Sequence, residues 1–124
     1  MNNYFSDDEL RCKCGCDQIL KNEMFLKRLN TMRELASRPL HLSSAYRCPN
    51  HPVEARKKKG GSHTFGRAVD IICKNGCDFY ELLPYAIQVG FTGLGLHLTG
   101  TARFLHLDDL TKQDGFSRPT IWGY

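Results

Sequence analysis

His63 and Asp70 stand in the run Ser62-His63-Thr64-Phe65-Gly66-Arg67-Ala68-Val69-Asp70, and His106 stands in Phe104-Leu105-His106-Leu107-Asp108. Two imidazoles and one carboxylate are the donor set of a catalytic zinc ion that keeps a fourth position for water. Such an ion lowers the pKa of its bound water to about 7 and so supplies hydroxide at neutral pH. A His and an Asp at this spacing say little alone; the residues around them say more. Gly66 lets the chain turn between the two side chains. Ala68, Val69, Ile71 and Ile72 read as a strand that would bury Asp70. A carboxylate there is costly unless it is paired or bound to metal. The segment around His106 also reads as a strand, so two neighbouring strands could aim all three side chains at one point.

The elements that must position them follow from pattern and punctuation. Ser6-Asp7-Asp8-Glu9 has the form of a capping box and predicts a short helix. From about Asn22 to Ser37, Phe25, Leu26, Leu29, Met32, Leu35 and Ala36 recur at helical spacing and form a core stripe, which Pro39 ends. His41 to Tyr46 reads as a strand that delivers Arg47 to the loop Cys48-Pro49-Asn50-His51-Pro52. Val53 to Ser62 is a polar, basic approach to His63. Arg67 to Cys73 is a strand, and Asn75-Gly76 marks a turn. A second helix runs from Asp78 to about Val89, bent or shortened by Pro84 and ended by Gly90. Phe91 to Leu98 and Ala102 to Asp109 are two strands joined by a hairpin at Thr99-Gly100-Thr101. The tail from Thr111 reads as irregular, with Trp122 packing back. This order predicts an α+β domain: a small, mainly antiparallel sheet with helices packed on one face, and the metal on the other.

The length of 124 residues fits one domain, 1–124, and 41% apolar with 24% charged residues marks a globular chain. No apolar run approaches the roughly 20 residues of a membrane span. The start, Met1 to Glu9, lacks the basic and apolar stretches of a secretory signal, so synthesis in the cytoplasm is expected, with any exit by lysis or a holin. The net charge of +4 comes partly from Arg56-Lys57-Lys58-Lys59. That run is either a solvated segment or an attraction for a polyanion. No aromatic residue interleaves it, which argues against a nucleic-acid partner. Six cysteines are many for a chain of this size. Cys12, Cys14 and Cys16 alternate, and Cys48, Cys73 and Cys77 follow singly. Reduced thiols, one or two disulfides, and a second metal site are all compatible with this spacing.

The run carrying His63, Gly66, Ala68 and Asp70 resembles the zinc D-Ala-D-Ala carboxypeptidase family, which includes vancomycin-resistance dipeptidases, phage endolysins that cut L-alanyl-D-glutamate bonds, and the hedgehog domain. Ser43-Ser44-Ala45-Tyr46-Arg47 is similar to a substrate-binding segment of that family, Phe104 to Asp108 to its third-ligand strand, and Arg118-Pro119-Thr120-Ile121-Trp122 to the tail of its small phage and bacterial members. The resemblance implies a hedgehog-like fold and one catalytic zinc on His63, Asp70 and His106. It implies a peptidase acting on peptidoglycan stem peptides, phage or prophage encoded, monomeric, and reaching the cell wall after release. It also makes Arg47 the residue that contacts substrate or transition state, with Tyr46 and Ser62 beside it. Two departures stand out. Gly61 occupies the position where the family usually has Ser, and Phe104 and Arg103 occupy positions where better-known members carry their general base. Two residues could supply that base. Asp108 has the same strand facing as His106 and would either take the proton or orient a ligand. His97, on the preceding strand, would pair near Phe104 or Arg103. Two other functions compete: a non-catalytic zinc-containing module of the same fold, and a zinc-ribbon-like nucleic-acid binder built on the cysteines.

Overall fold

The computed structural model describes residues 3–55 and 61–124. The basic run Arg56 to Lys59 lies outside them. Helix α1 (Asp7–Leu10) opens on the expected capping box: the Ser6 side chain accepts from the Glu9 N–H, and Glu9 reaches back to the Ser6 N–H. Helix α2 (Glu23–Ala36) is capped by Asn22, whose Oδ1 accepts from the Phe25 N–H at 2.9 Å. It buries Phe25, Leu29 and Met32 completely, whereas Leu35, expected in the same stripe, is exposed. Strand β1 (Leu42–Ser44) is shorter than its apolar surroundings suggest. A four-residue helix α3 (Pro52–Ala55) and a 3₁₀ turn (Ser62–Phe65) occupy part of the stretch read as a polar approach. Gly66 follows at φ 68°, the left-handed conformation that lets the chain reverse into strand β2 (Ala68–Ile72).

Helix α4 (Gly76–Gln88) starts two residues earlier than the acidic residues suggest, because Asn75 is its N-cap rather than part of a turn. Pro84 sits inside this helix without ending it. Strands β3 (Gly93–His97) and β4 (Phe104–Asp108) form the expected hairpin. The tail is not irregular. Thr120–Gly123 is a strand, β5, which runs parallel to β3 with Gly95 opposite Trp122. The apolar residues of this strand alternate with too few others for its sequence to announce it.

The sheet order is β1-β2-β4-β3-β5, antiparallel except at the β3–β5 edge. Strand alternation divides it into two faces. Val69, Ile71, Leu94, Leu105 and Leu107 point into a core shared with Phe25, Leu29 and Met32 of α2 and with Phe79, Leu82 and Ala86 of α4. Ala68, Asp70, Gly93, Gly95, His97, Phe104, His106 and Asp108 fall on the opposite face. The register pairs Asp70 with His106 directly, which places the chemistry on the side of the sheet away from α2 and α4. Among the described residues no helix is long and apolar enough to cross a membrane.

Candidate metal centre

His63, Asp70 and His106 are all buried, and one ligand atom from each lies within 4.8 Å of the other two. Asp70 Oδ1 is the meeting point. It stands 3.3 Å from His63 Nε2 and 3.0 Å from His106 Nδ1. The far nitrogen of each imidazole is already engaged. His63 Nδ1 donates to the Ala45 carbonyl at 2.7 Å, and His106 Nε2 donates to Asp108 Oδ2 at 2.8 Å. Each ring is thereby fixed in one orientation, with a single nitrogen left to face Asp70. This is how metal-binding imidazoles are normally held. The donor set, its burial and its convergence fit a zinc ion with an open position.

The electrostatics follow from these contacts. Burial raises the Asp70 carboxyl, but the bonds to His106 and His63 outweigh it and hold the group well below the usual carboxylate range. Burial lowers the His106 imidazole, yet Asp108 and Asp70 on its two sides raise it overall. Arg47 donates from Nε to Ser44 Oγ at 3.1 Å and brings a terminal nitrogen to 3.6 Å from Asp70 Oδ2. The structure thus places a guanidinium at the outer oxygen of the carboxylate. Ser62 Oγ lies 3.4 Å from His106 Nε2. Tyr46 is half-buried, packs on the core, and lines a cleft with Gln18, Lys21, Phe65 and Gly66.

Asp108 sits behind His106 and has no exposed surface. Arg118 grips it as a fork, Nε to Oδ1 at 2.8 Å and the second nitrogen to Oδ2 at 2.7 Å. Its Oδ1 also accepts from the Leu110 N–H at 3.3 Å. Burial pushes the Asp108 carboxyl up, and Arg118 and His106 more than reverse this, to about 2. The close approach has a sequence cause: a Cβ on Gly93 would stand 2.3–2.4 Å from the Asp108 carboxylate, so no larger residue fits there. Gly95 does the same for Trp122, whose indole lies over it and 5.3 Å from the His106 ring. His97 stacks on Phe104 with ring centroids 5.1 Å apart, beside Tyr124. Its Nδ1 is buried without a hydrogen-bond partner among the described residues.

A family model described as Peptidase M15 matches residues 3–108. The chain belongs to the peptidase M15 family. The match covers the three metal-site residues, Arg47, His97 and Asp108, and stops before the tail that carries Arg118 and Trp122. The chain matches no curated protein. M15 members are zinc peptidases, and the M15 fold of this chain is the α+β arrangement expected from its sequence. Sequence reading quoted Arg118 and Arg67 within motifs but gave no role to them, nor to Gly93 and Gly95. Arg67 ties the tail into place by donating to Asp109 Oδ1 at 2.8 Å, to the Asp109 carbonyl at 2.6 Å and to Asp114 at 3.1 Å. The alternating glycines of β3 were the available signal, since glycine within a strand marks close approach by another group.

Proposed function

We propose that this M15 peptidase hydrolyses peptidoglycan stem peptides as a zinc enzyme of the D-Ala-D-Ala carboxypeptidase or L-alanyl-D-glutamate endopeptidase type, acting on the cell wall after release from the cell. The observation that carries the reading is the convergence of His63 Nε2, Asp70 and His106 Nδ1, with both opposite ring nitrogens held. Zinc bound there would supply Lewis acidity toward a scissile carbonyl and a water of lowered pKa.

The protein's own residues do the rest. The Ala45 carbonyl and Asp108 keep the two imidazoles aimed at the metal. Asp108 is a positioning residue in this proposal, because Arg118, His106 and the Leu110 N–H occupy its oxygens and its low pKa makes it a poor proton acceptor. His97 takes the base role. It shares the site face and is the diagonal neighbour of His106 across the β3–β4 ladder at roughly 7–8 Å. It accepts the proton through a water and returns it to the leaving amine. Arg47 holds a substrate carboxylate or the oxyanion that forms on attack, with Tyr46 and Ser62 flanking it.

A second reading, a non-catalytic zinc module, is favoured by one observation. Arg103 and Phe104 fill the positions where better-known relatives keep a base, and the Arg103 guanidinium is turned away to the Lys74 carbonyl at 2.8 Å. Digestion of purified muropeptides with zinc-loaded protein, followed by mass spectrometry, decides between them. Loss of a terminal D-Ala or scission between L-Ala and D-Glu supports the enzyme. Intact stem peptides support the module.

A further inference from the structure

Four of the six cysteines converge outside the centre just described. We propose that Cys12, Cys14, Cys16 and Cys48 form a second metal site, a tetrathiolate zinc centre that clips the N-terminal segment to the loop bearing Arg47.

The sulfurs of these residues all lie within 4.8 Å of one another. Cys12 and Cys14 sulfurs are 3.4 Å apart, and those of Cys14 and Cys48 are 3.2 Å apart. A disulfide needs about 2.05 Å. Four thiolates placed tetrahedrally at about 2.3 Å from zinc stand about 3.8 Å from one another, close to what is observed. The backbone has been shaped for this convergence. In an extended strand, alternate cysteines lie roughly 6.5–7 Å apart along one face. Here the chain curls instead, through Gly15 at φ 90° and Asp17 at φ 64°. The curl is closed at its base by the Arg11–Ile19 bridge and by the Cys12 N–H to the Gln18 carbonyl at 2.8 Å. Gly and Asp both tolerate the left-handed region, so these two positions let the chain reverse on either side of Cys16.

Cys12 and Cys48 are buried while Cys14 and Cys16 are exposed, so an ion has a route of entry and a closed inner half. The Cys48 N–H donates to the Cys12 sulfur at 3.3 Å, the kind of bond that supports negative charge on a ligating thiolate. An all-sulfur tetrahedral set selects zinc over harder divalent ions. Cys73 is buried apart from the cluster, and Cys77 is exposed on α4. Because Cys48 directly follows Arg47, the clip would fix the start of that loop against the N-terminal curl.

The test is metal content of the full chain, purified with zinc under reducing conditions. Two zinc ions per chain are expected. Cys14→Ser/Cys16→Ser should hold one, His63→Ala should hold one, and Cys77→Ser should hold two. Cobalt-loaded wild type and His63→Ala should show thiolate-to-cobalt charge transfer that the double cysteine variant lacks. If that variant does not fold, titration of wild type with a mercurial should release one zinc to a chromophoric chelator as the thiols are modified. A single zinc that survives full thiol modification would overturn the proposal. So would thiols of protein purified with zinc but without reductant that react only after reductant is added, because the cluster would then be disulfide-bonded. Neither result depends on whether the protein cleaves peptides.

Discussion

Arg118 lies beyond the family match, yet the geometry makes the metal centre depend on it. Its side chain is 9% exposed and that of Asp108 is not exposed at all. Arg118→Ala leaves the Asp108 carboxylate in the sheet with only His106 and one backbone N–H. Removing one partner of a buried ion pair costs about 3–5 kcal/mol. Against a total stability on the order of 5–15 kcal/mol, the fold should survive with a much lower urea midpoint. The second consequence is at the metal. Asp108 would lose the cation that keeps its pKa near 2, and its hold on His106 Nε2 would loosen. Zinc affinity, measured by competition with a chromophoric chelator, should fall by about 10–100-fold. Arg118→Lys should recover part of the stability and little of the geometry, since an ammonium cannot reproduce the fork. Combining Arg118→Ala with Asp108→Asn should cost less than the sum of the two, because both break one network. Wild-type zinc affinity and urea midpoint in Arg118→Ala would refute the reasoning.

Zinc-loaded His97→Ala should be inactive while keeping its metal, whereas Asp108→Asn should lose metal and regain activity in excess zinc; assays with and without added zinc read both outcomes. Arg47→Ala should fold and hold metal but lose on the order of 10²–10³ in kcat/KM, and Arg47→Lys should also be impaired. Gly93→Ala should destabilise by about 1–3 kcal/mol in urea unfolding, because its Cβ would meet the Asp108 carboxylate at 2.3–2.4 Å. In the metal-free protein, the lowered pKa of Asp108 contributes about 2 kcal/mol that is fully present above pH ~4 and is lost as pH falls toward 2; unfolding of Asp108→Asn should lack this acid-limb slope. His106 is raised, so protons should compete with zinc over a wider range than for a free imidazole, and zinc affinity should climb with pH through neutrality.

Helices α1, α2 and α4, the β2, β3 and β4 strands and the burial of Asp70 were legible because periodicity and capping residues report directly on which face is buried. The convergence of His63, Asp70 and His106 was legible from residue type and the turn at Gly66. What sequence did not reveal depends on contacts between distant segments. β5 has no independent signal, since Trp122 is half-buried by its fit over Gly95 rather than by alternation in its own strand. Arg118 is one of several arginines until Asp108 is seen behind His106. Asp108 itself shares the facing of His106, which suits a base and an orienting residue equally; only its partners separate the two. The cysteine spacing likewise left three readings open until the curl at Gly15 and Asp17 brought four sulfurs together.

The central claim is that peptide hydrolysis runs at a zinc held by His63, Asp70 and His106. Its most direct test is chelator-stripped protein assayed on muropeptides by mass spectrometry as zinc is restored, with Asp70→Ala carried in parallel. Wild type should be silent when stripped and recover cleavage as zinc refills, while Asp70→Ala stays silent at every zinc level. Cleavage by fully stripped wild type, or by Asp70→Ala at the wild-type rate, would contradict it.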